Sequence, residues 1–418
     1  MDVMAARDDA APFMILGGGL AGGNAAVALR EHGYDGPVMI VGREEGVPFG
    51  RPPLSKGYLR SEEALADWYV KPPDWYDEDG IERIEATAVE IDADGHTVLL
   101  DSGRTLAYQK LLLATGARNR RFELPGSELA GIHQLRTLDE CDAIKSEAAS
   151  ARRALVIGMS FIGCEVAASL TQLGVGVTAS LPQRVPLERV LGVEAGAAFA
   201  AIHREMGVEL LTDDQIAGFE GSGRVEAATT VKGARVQCDL VVAGIGVEPD
   251  LPAFAGSQPT VSNGVLVDAA CRASVPDVYA AGDVANHDHP LFGRVRVEHY
   301  NNAERQGRAA AGSMLGSDAP YDYLHSFWSD QYEHKLEYVG HATEWDRFVV
   351  RGSVEQRQFL GFYLHQGQLR AAMGLNRGGD PELDRDGEMA TCARLVAART
   401  RPRSDDLADE DVELSSLL

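Results

Sequence analysis

The sequence predicts an α/β protein with two Rossmann-like units, and two observations carry that expectation. An apolar strand running into a glycine-rich turn occurs twice in the chain, and each turn is followed by a helical pattern and a second strand. With 418 residues there is room for two or three domains, each with its own core.

The first turn lies in "PFMILGGGLAGGNAAVALREHG". An apolar strand over residues 13–16 meets Gly17, Gly19 and Gly22 at GxGxxG spacing, and Leu20 and Ala21 open an alanine-rich helix. Each glycine has its own reason: Gly17 allows the tight turn, Gly19 lets backbone approach a pyrophosphate, and Gly22 lets helix pack on strand. The helix N-terminus then offers free N–H groups to the phosphates. The next strand, "PVMIVGREE", brings Glu44 about 22 residues beyond Gly22, near the roughly 20 expected for an acid on the ribose.

The second turn, "VIGMSFIGCEVAASL", is altered. Gly158 and Gly163 hold the outer positions, but Ser160 stands where the middle glycine belongs, followed by Phe161 and Ile162. The added Cβ and hydroxyl require phosphates to sit slightly farther out, or to accept a bond from the hydroxyl. At the end of the following strand Leu181 stands where an acid would hold the ribose of NADH, and Arg184 a few residues on suits a 2′-phosphate. The choice between NADH and NADPH stays open at this point.

Composition narrows the partners. A formal charge of -24 disfavours nucleic acid, whose binding rests on cationic side chains displacing counterions. The acidic start "MDVMAARDDAAPF" does not read as a signal peptide, and no apolar run is long enough to cross a bilayer, so a cytoplasmic protein without a membrane partner is expected. The five cysteines, Cys141, Cys164, Cys238, Cys271 and Cys392, are scattered without CxxC or metal-ligand spacing, so no metal site is expected. The tail "RPRSDDLADEDVELSSLL" reads as a solvated or disordered acidic end.

Between the turns lies "VPFGRPPLSKGYL", followed in order by "LLLATGA", "GIGVEPD", "VYAAGDVA", "RVEHYNNA" and "FWSDQYEHKLEYVG". In these stretches the chain resembles FAD-dependent ferredoxin reductases of oxygenase systems and the related apoptosis-inducing-factor-like flavoproteins, within the pyridine nucleotide-disulfide oxidoreductase superfamily. The resemblance implies a glutathione-reductase-like fold: an FAD domain over residues 1–117 and 245–325, an NAD(P)H domain over 118–244, and a C-terminal α+β domain with the acidic tail over 326–418. It also implies FAD as cofactor and NADH or NADPH as cosubstrate.

Carried over position by position, the resemblance places FAD contacts at Gly17, Gly19, Leu20, Ala21, Gly22, Glu44, Arg51, Lys56, Val89, Ala114, Thr115, Gly116, Arg136, Gly282, Asp283 and Tyr300. Arg43 departs from relatives that carry the ribose acid one residue earlier than Glu44. The nicotinamide dinucleotide falls to Gly158, Ser160, Phe161, Ile162, Gly163, Glu165, Arg184 and Gly246. Lys56 and Glu165 match an ion pair beside the reactive edge of the flavin, and Trp328 matches an aromatic that closes the flavin site; these are the catalytic candidates.

Relatives that reduce disulfides carry a cysteine in the segment matching residues 42–56, and here that segment has none. Electrons are therefore expected to pass from NAD(P)H to flavin and directly on to a ferredoxin-type iron–sulfur protein, without a sulfur relay. A docking surface for an acidic ferredoxin would draw on Arg294, Arg296, Arg305, Arg308 and Lys335. The alternatives are a reductase of rubredoxin or monodehydroascorbate, and a signalling flavoprotein like apoptosis-inducing factor.

Overall fold

A computed structural model describes residues 11–418. Residues 1–10, which include most of the acidic start and the beginning of the expected FAD domain, lie outside the described residues. The remainder divides into two compact units. One comprises residues 11–52, Ala64–Arg118 and Val247–Tyr323, and the other Pro53–Glu63, Asn119–Gly246 and Leu324–Leu418.

The first unit is built on a parallel sheet whose strands run in the order Val278–Ala280, Lys110–Leu113, Phe13–Leu16, Val38–Gly42, Ile81–Glu85. Its middle strand, Phe13–Leu16, is apolar and buried at every position because both faces are covered. Phe13 and Ile15 join Val38, Ile40 and Leu112 beneath the helices Leu20–Glu31 and Tyr300–Met314. Met14 and Leu16 join Met39, Val41, Leu111 and Leu113 on the opposite face, packed against Ile91, Val98 and Val265. The two helices approach closely at Gly307, where a Cβ would lie 2.2 Å from the Ala21 carbonyl oxygen.

The second unit repeats this plan. Its parallel sheet runs Glu209–Leu211, Gly176–Ser180, Arg153–Ile157, Leu240–Ala243, Ile132–His133, with the helix Phe161–Gln172 following the central strand. Joined to the same unit is a five-stranded antiparallel sheet, in the order Ser326–Gln331, His334–Gly340, Gln368–Leu375, Gln358–His365, Arg347–Ser353. It encloses Phe359, Phe362 and Tyr363 and carries the helix Glu388–Ala397. The fold class is thus α/β with two Rossmann-like sheets and a C-terminal antiparallel sheet with helices, as the sequence predicts.

The acidic tail departs from expectation. Leu407 and Leu414 are buried, and the buried Arg351 guanidinium donates to the backbone carbonyls of Asp409, Glu410 and Val412. Arg377 adds ion pairs to Glu388 and Glu410, so the tail is fixed by cations beneath it. Among the described residues no helix is long and apolar enough to cross a membrane.

Candidate functional site

The two turns have different steric needs at their three positions. Gly17 has φ +119°, and a Cβ there would lie 2.1 Å from the Ala114 oxygen; one on Gly22 would lie 2.0 Å from the Gly17 oxygen. Neither position tolerates a side chain. At Gly19, the N-cap of helix Leu20–Glu31, an added Cβ meets nothing within 4 Å, and no side chain caps the helix. Packing within the protein therefore does not require glycine there.

Other candidates converge on this turn. Ala114 and Thr115 press against Gly17, and Gly282 sits beside Ala21, where its own Cβ would lie 3.0 Å from that of Ala21. The Gly282 N–H donates to Gln306 Oε1 at 2.9 Å, which fixes the short turn that carries the nearly buried Asp283. Thr115 Oγ1 donates to the Asp250 carbonyl, and the Asp250 N–H donates to the Gly116 oxygen at 3.1 Å. Glu44 receives both terminal nitrogens of Arg51, whereas Arg43 is paired with Asp250 at 2.7 Å. Tyr300 stands edge-on to Trp68, ring centroids 6.1 Å apart, and burial raises its phenol pKa. Val89 lies on the strand Ala88–Asp92 and is exposed. Lys56, Arg136 and Trp328 fall in the second unit, so the FAD candidates are divided between the two.

In the second turn Gly158 has φ +86° and a Cβ would come within 2.4 Å of the Gly244 oxygen; on Gly163 it would come within 1.9 Å of the Gly158 oxygen. Ser160 caps the following helix at φ -81° and ψ -173°, almost the backbone geometry of Gly19 at -91° and -169°. That is extended backbone open to any residue, so serine brings no strain, and its exposed side chain makes no capping bond. Phe161 packs edge-on to Phe327 at 5.0 Å, while Ile162 is exposed. Gly246 has φ +94° and lies beside Arg120.

The position where the ribose acid is missing turns inward. Leu181 is 1 % exposed and its N–H donates to the Leu211 carbonyl, so the residue faces the core and not a ligand. Arg184 does not present a lone positive charge either, because Glu188 holds its guanidinium at 3.0 and 3.3 Å.

Lys56 and Glu165 form an ion pair at 2.6 Å, with side chains 15 % and 3 % exposed. A carboxylate so buried is stable only when its oxygens are satisfied. Glu165 Oε2 accepts from Lys56 Nζ and, at 2.5 Å, from Ser55 Oγ; Oε1 accepts from Ser329 Oγ at 2.7 Å. Ser55 and Ser329 were not singled out from the sequence, although they adjoin Lys56 in "PLSK" and Trp328 in "FWSDQ". Across the strands Ser326–Gln331 and His334–Gly340, Trp328 pairs with Glu337 and Asp330 with Lys335, which places all four side chains on one face. Burial pushes Glu337 up to about 7 against the opposing pull of Lys335 at 2.8 Å, and likewise raises Asp330 against Lys56 and Lys335.

All five cysteines are buried and unpaired as disulfides. Burial raises every thiol, Cys238 to about 11, Cys141, Cys271 and Cys392 to about 12, and Cys164 well above its ordinary value. Such thiols are poor nucleophiles at neutral pH. Among the described residues no three potential metal ligands cluster.

A family model described as pyridine nucleotide-disulphide oxidoreductase matches residues 11–307, and one described as reductase C-terminal matches residues 326–418. The chain belongs to the pyridine nucleotide-disulphide oxidoreductase family. Within the family it is 36 % identical to the rhodocoxin reductase of Rhodococcus erythropolis, covering 96 % of this chain and 93 % of that one. It is equally 36 % identical to the ferredoxin–NAD(+) reductase component of the anthranilate 1,2-dioxygenase system of Burkholderia cepacia, over 97 % and 99 % of the two chains. Among solved structures, the reductase in a covalent putidaredoxin reductase–putidaredoxin complex superposes with a TM-score of 0.89 at 33 % identity, over 97 % of this chain and 98 % of that one.

Proposed function

We propose that this member of the pyridine nucleotide-disulphide oxidoreductase family is a ferredoxin reductase. It takes electrons from NADH through FAD and delivers them to a ferredoxin-type iron–sulfur protein of an oxygenase system in the cytoplasm. The observation that supports this reading best is the pairing of two glycine-rich strand–turn–helix units, one per compact unit, with five buried thiols.

The residues present suit the two dinucleotides. The free space at Gly19 and the exposed cap at Ser160 leave room for a pyrophosphate at each helix N-terminus. Gly17, Leu20, Ala21 and Gly22 shape the FAD turn, Ala114, Thr115 and Gly282 lie against it, Gly116, Asp283 and Tyr300 are further candidates, and the Glu44–Arg51 pair holds a carboxylate ready for ribose hydroxyls. The exposed Arg184–Glu188 pair disfavours a 2′-phosphate only weakly, and NADH as the donor is supported by the relatives that are ferredoxin–NAD(+) reductases.

Bound FAD supplies the conversion between a two-electron donor and a one-electron acceptor. In that role the Lys56 ammonium, held in place by Glu165, would offer a fixed positive charge to the bound flavin, and Trp328 would be the aromatic that covers it. Five cationic side chains were candidates for docking the acidic ferredoxin. Arg294 and Arg305 in the first unit and Lys335 in the second are exposed, Lys335 being paired with Glu337; Arg308 is half-buried beside Glu31, and Arg296, whose side chain is 9 % exposed, is paired with Glu298 and is the weakest of the five.

Steady-state assays with an oxygenase-type ferredoxin, rubredoxin, monodehydroascorbate and ferricyanide test the acceptor. The proposal requires ferredoxin to be preferred among the physiological acceptors. Arg294→Glu should slow ferredoxin reduction and weaken its salt dependence while leaving ferricyanide unaffected; equal effects on both would defeat the docking surface.

A further inference from the structure

The Lys56–Glu165 pair is the end of a longer buried structure. Ser329 Oγ, which donates to Glu165 Oε1 at 2.7 Å, itself accepts from Gln331 Nε2 at 3.3 Å. Gln331 Oε1 lies 3.1 Å from His203 Nε2, and His203 Nδ1 lies 3.1 Å from the Tyr332 hydroxyl. Ser329, Gln331 and His203 are each 1 % exposed or less, and they come from the C-terminal sheet and the helix Glu188–Glu205, while Glu165 comes from the helix of the second turn.

The direction of these bonds follows from Gln331 Oε1, which can only accept, so His203 Nε2 carries the hydrogen. Burial pulls His203 down to about 4, so at neutral pH the ring carries one hydrogen. With that hydrogen on Nε2, Nδ1 accepts from Tyr332, Nε2 donates to Gln331 Oε1, and the Gln331 amide donates to Ser329. Every donor then points the same way, toward the carboxylate, and aligned bonds of this kind polarise one another.

A second observation supports a dedicated role. Tyr332 has φ +57°, in a two-residue hairpin turn where glycine, asparagine and aspartate are favoured and a bulky aromatic is not. Its ring stands edge-on to His203, centroids 5.5 Å apart, and its hydroxyl lies between His203 Nδ1 and the Thr171 side chain. The turn carries a disfavoured residue whose hydroxyl the network uses.

We infer that Tyr332, His203, Gln331 and Ser329 form a buried one-way hydrogen-bond relay that positions the Glu165 carboxylate and, through it, the Lys56 ammonium. His203 is a positioning residue, far along the chain from the lysine it orients. The inference rests on the function proposed above for the importance of Lys56, but the relay itself does not need a bound dinucleotide.

The test uses His203→Phe and Gln331→Met, which break the relay at two places while roughly conserving volume, each alone and with Glu165→Gln. Lys56 acylation by limiting acetic anhydride, read by peptide mass spectrometry, requires no ligand and is expected to change at least about threefold in both single variants. In the Glu165→Gln background neither should change it further, and each should move the midpoint potential of bound flavin in the direction Glu165→Gln moves it. If His203→Phe does not fold, Gln331→Met alone decides. Unchanged Lys56 labelling in the folded variants, or effects that add fully to those of Glu165→Gln, would overturn the relay. A wild-type flavin that NADH does not reduce would overturn the proposed function instead, and leave the labelling result standing.

Discussion

Lys56 Nζ lies 2.6 Å from Glu165 Oε2 in a largely desolvated setting, and two serine hydroxyls complete the shell of the carboxylate. Removing one partner of such a pair strands the other charge, at a cost of about 3–5 kcal/mol. Glu165→Gln is therefore expected to lower unfolding stability measured in urea and to slow reduction of bound flavin in stopped-flow by about tenfold or more, the size of one lost electrostatic contact. Lys56→Met should slow the same step. Normal reduction rates in both would separate the pair from the chemistry.

Glycines at the first turn give a contrast between fold and ligand. Gly17→Ala forces a Cβ against the Ala114 oxygen at 2.1 Å and at a positive φ, so a poorly folded protein is expected. Gly19→Ala meets nothing, so the flavin-free protein should keep its melting temperature while binding FAD far more weakly. Calorimetry of the apoprotein and visible absorbance after reconstitution check both halves.

Stability should carry a titration from Glu337. Burial raises its folded pKa to about 7, above the ordinary 4.5, so between those values the folded protein holds a proton the unfolded chain has released. Its contribution is full below pH 4.5 and is lost as pH rises through about 7. His203, lowered from 6.5 to about 4, acts oppositely and loses its contribution as pH falls through that window. Glu337→Gln should therefore gain stability relative to wild type at pH 8 and not at pH 4, by urea unfolding at the two values.

Arg351 holds three tail carbonyls from a position 5 % exposed. Arg351→Ala leaves those groups without their charged donor, and a loss of about 2–3 kcal/mol is expected. Limited proteolysis should then cut the chain beyond residue 403 before any other site; an uncut tail would contradict the clamp.

Much of this was legible in the sequence because a few positions obey steric rules. Gly17, Gly22, Gly158 and Gly163 leave no room for a Cβ, and the apolar runs at residues 13–16 and 38–41 mark a sheet covered on both faces. What escaped detection depends on which way a side chain faces or what it meets across the chain. Leu181 directly follows a strand that ends at Ser180, and position along a strand does not tell core from surface. The offset of Arg184 by Glu188 is an i,i+4 contact on the surface that charge pattern alone does not mark, whereas the tail clamp and the relay join residues far apart in the chain. Composition alone made the tail look solvated, and it is Arg351 and Arg377 that hold it.

Anaerobic titration of the flavin-loaded protein with NADH, after exhaustive alkylation under native conditions, tests the central claim most directly. Buried thiols and a direct flavin route predict unmodified cysteines and complete loss of the visible flavin band at about one NADH per flavin, as hydride transfer requires. No bleaching, or an end point of about two NADH per flavin abolished by alkylation, would contradict it, the latter by revealing a thiol pair that stores electrons.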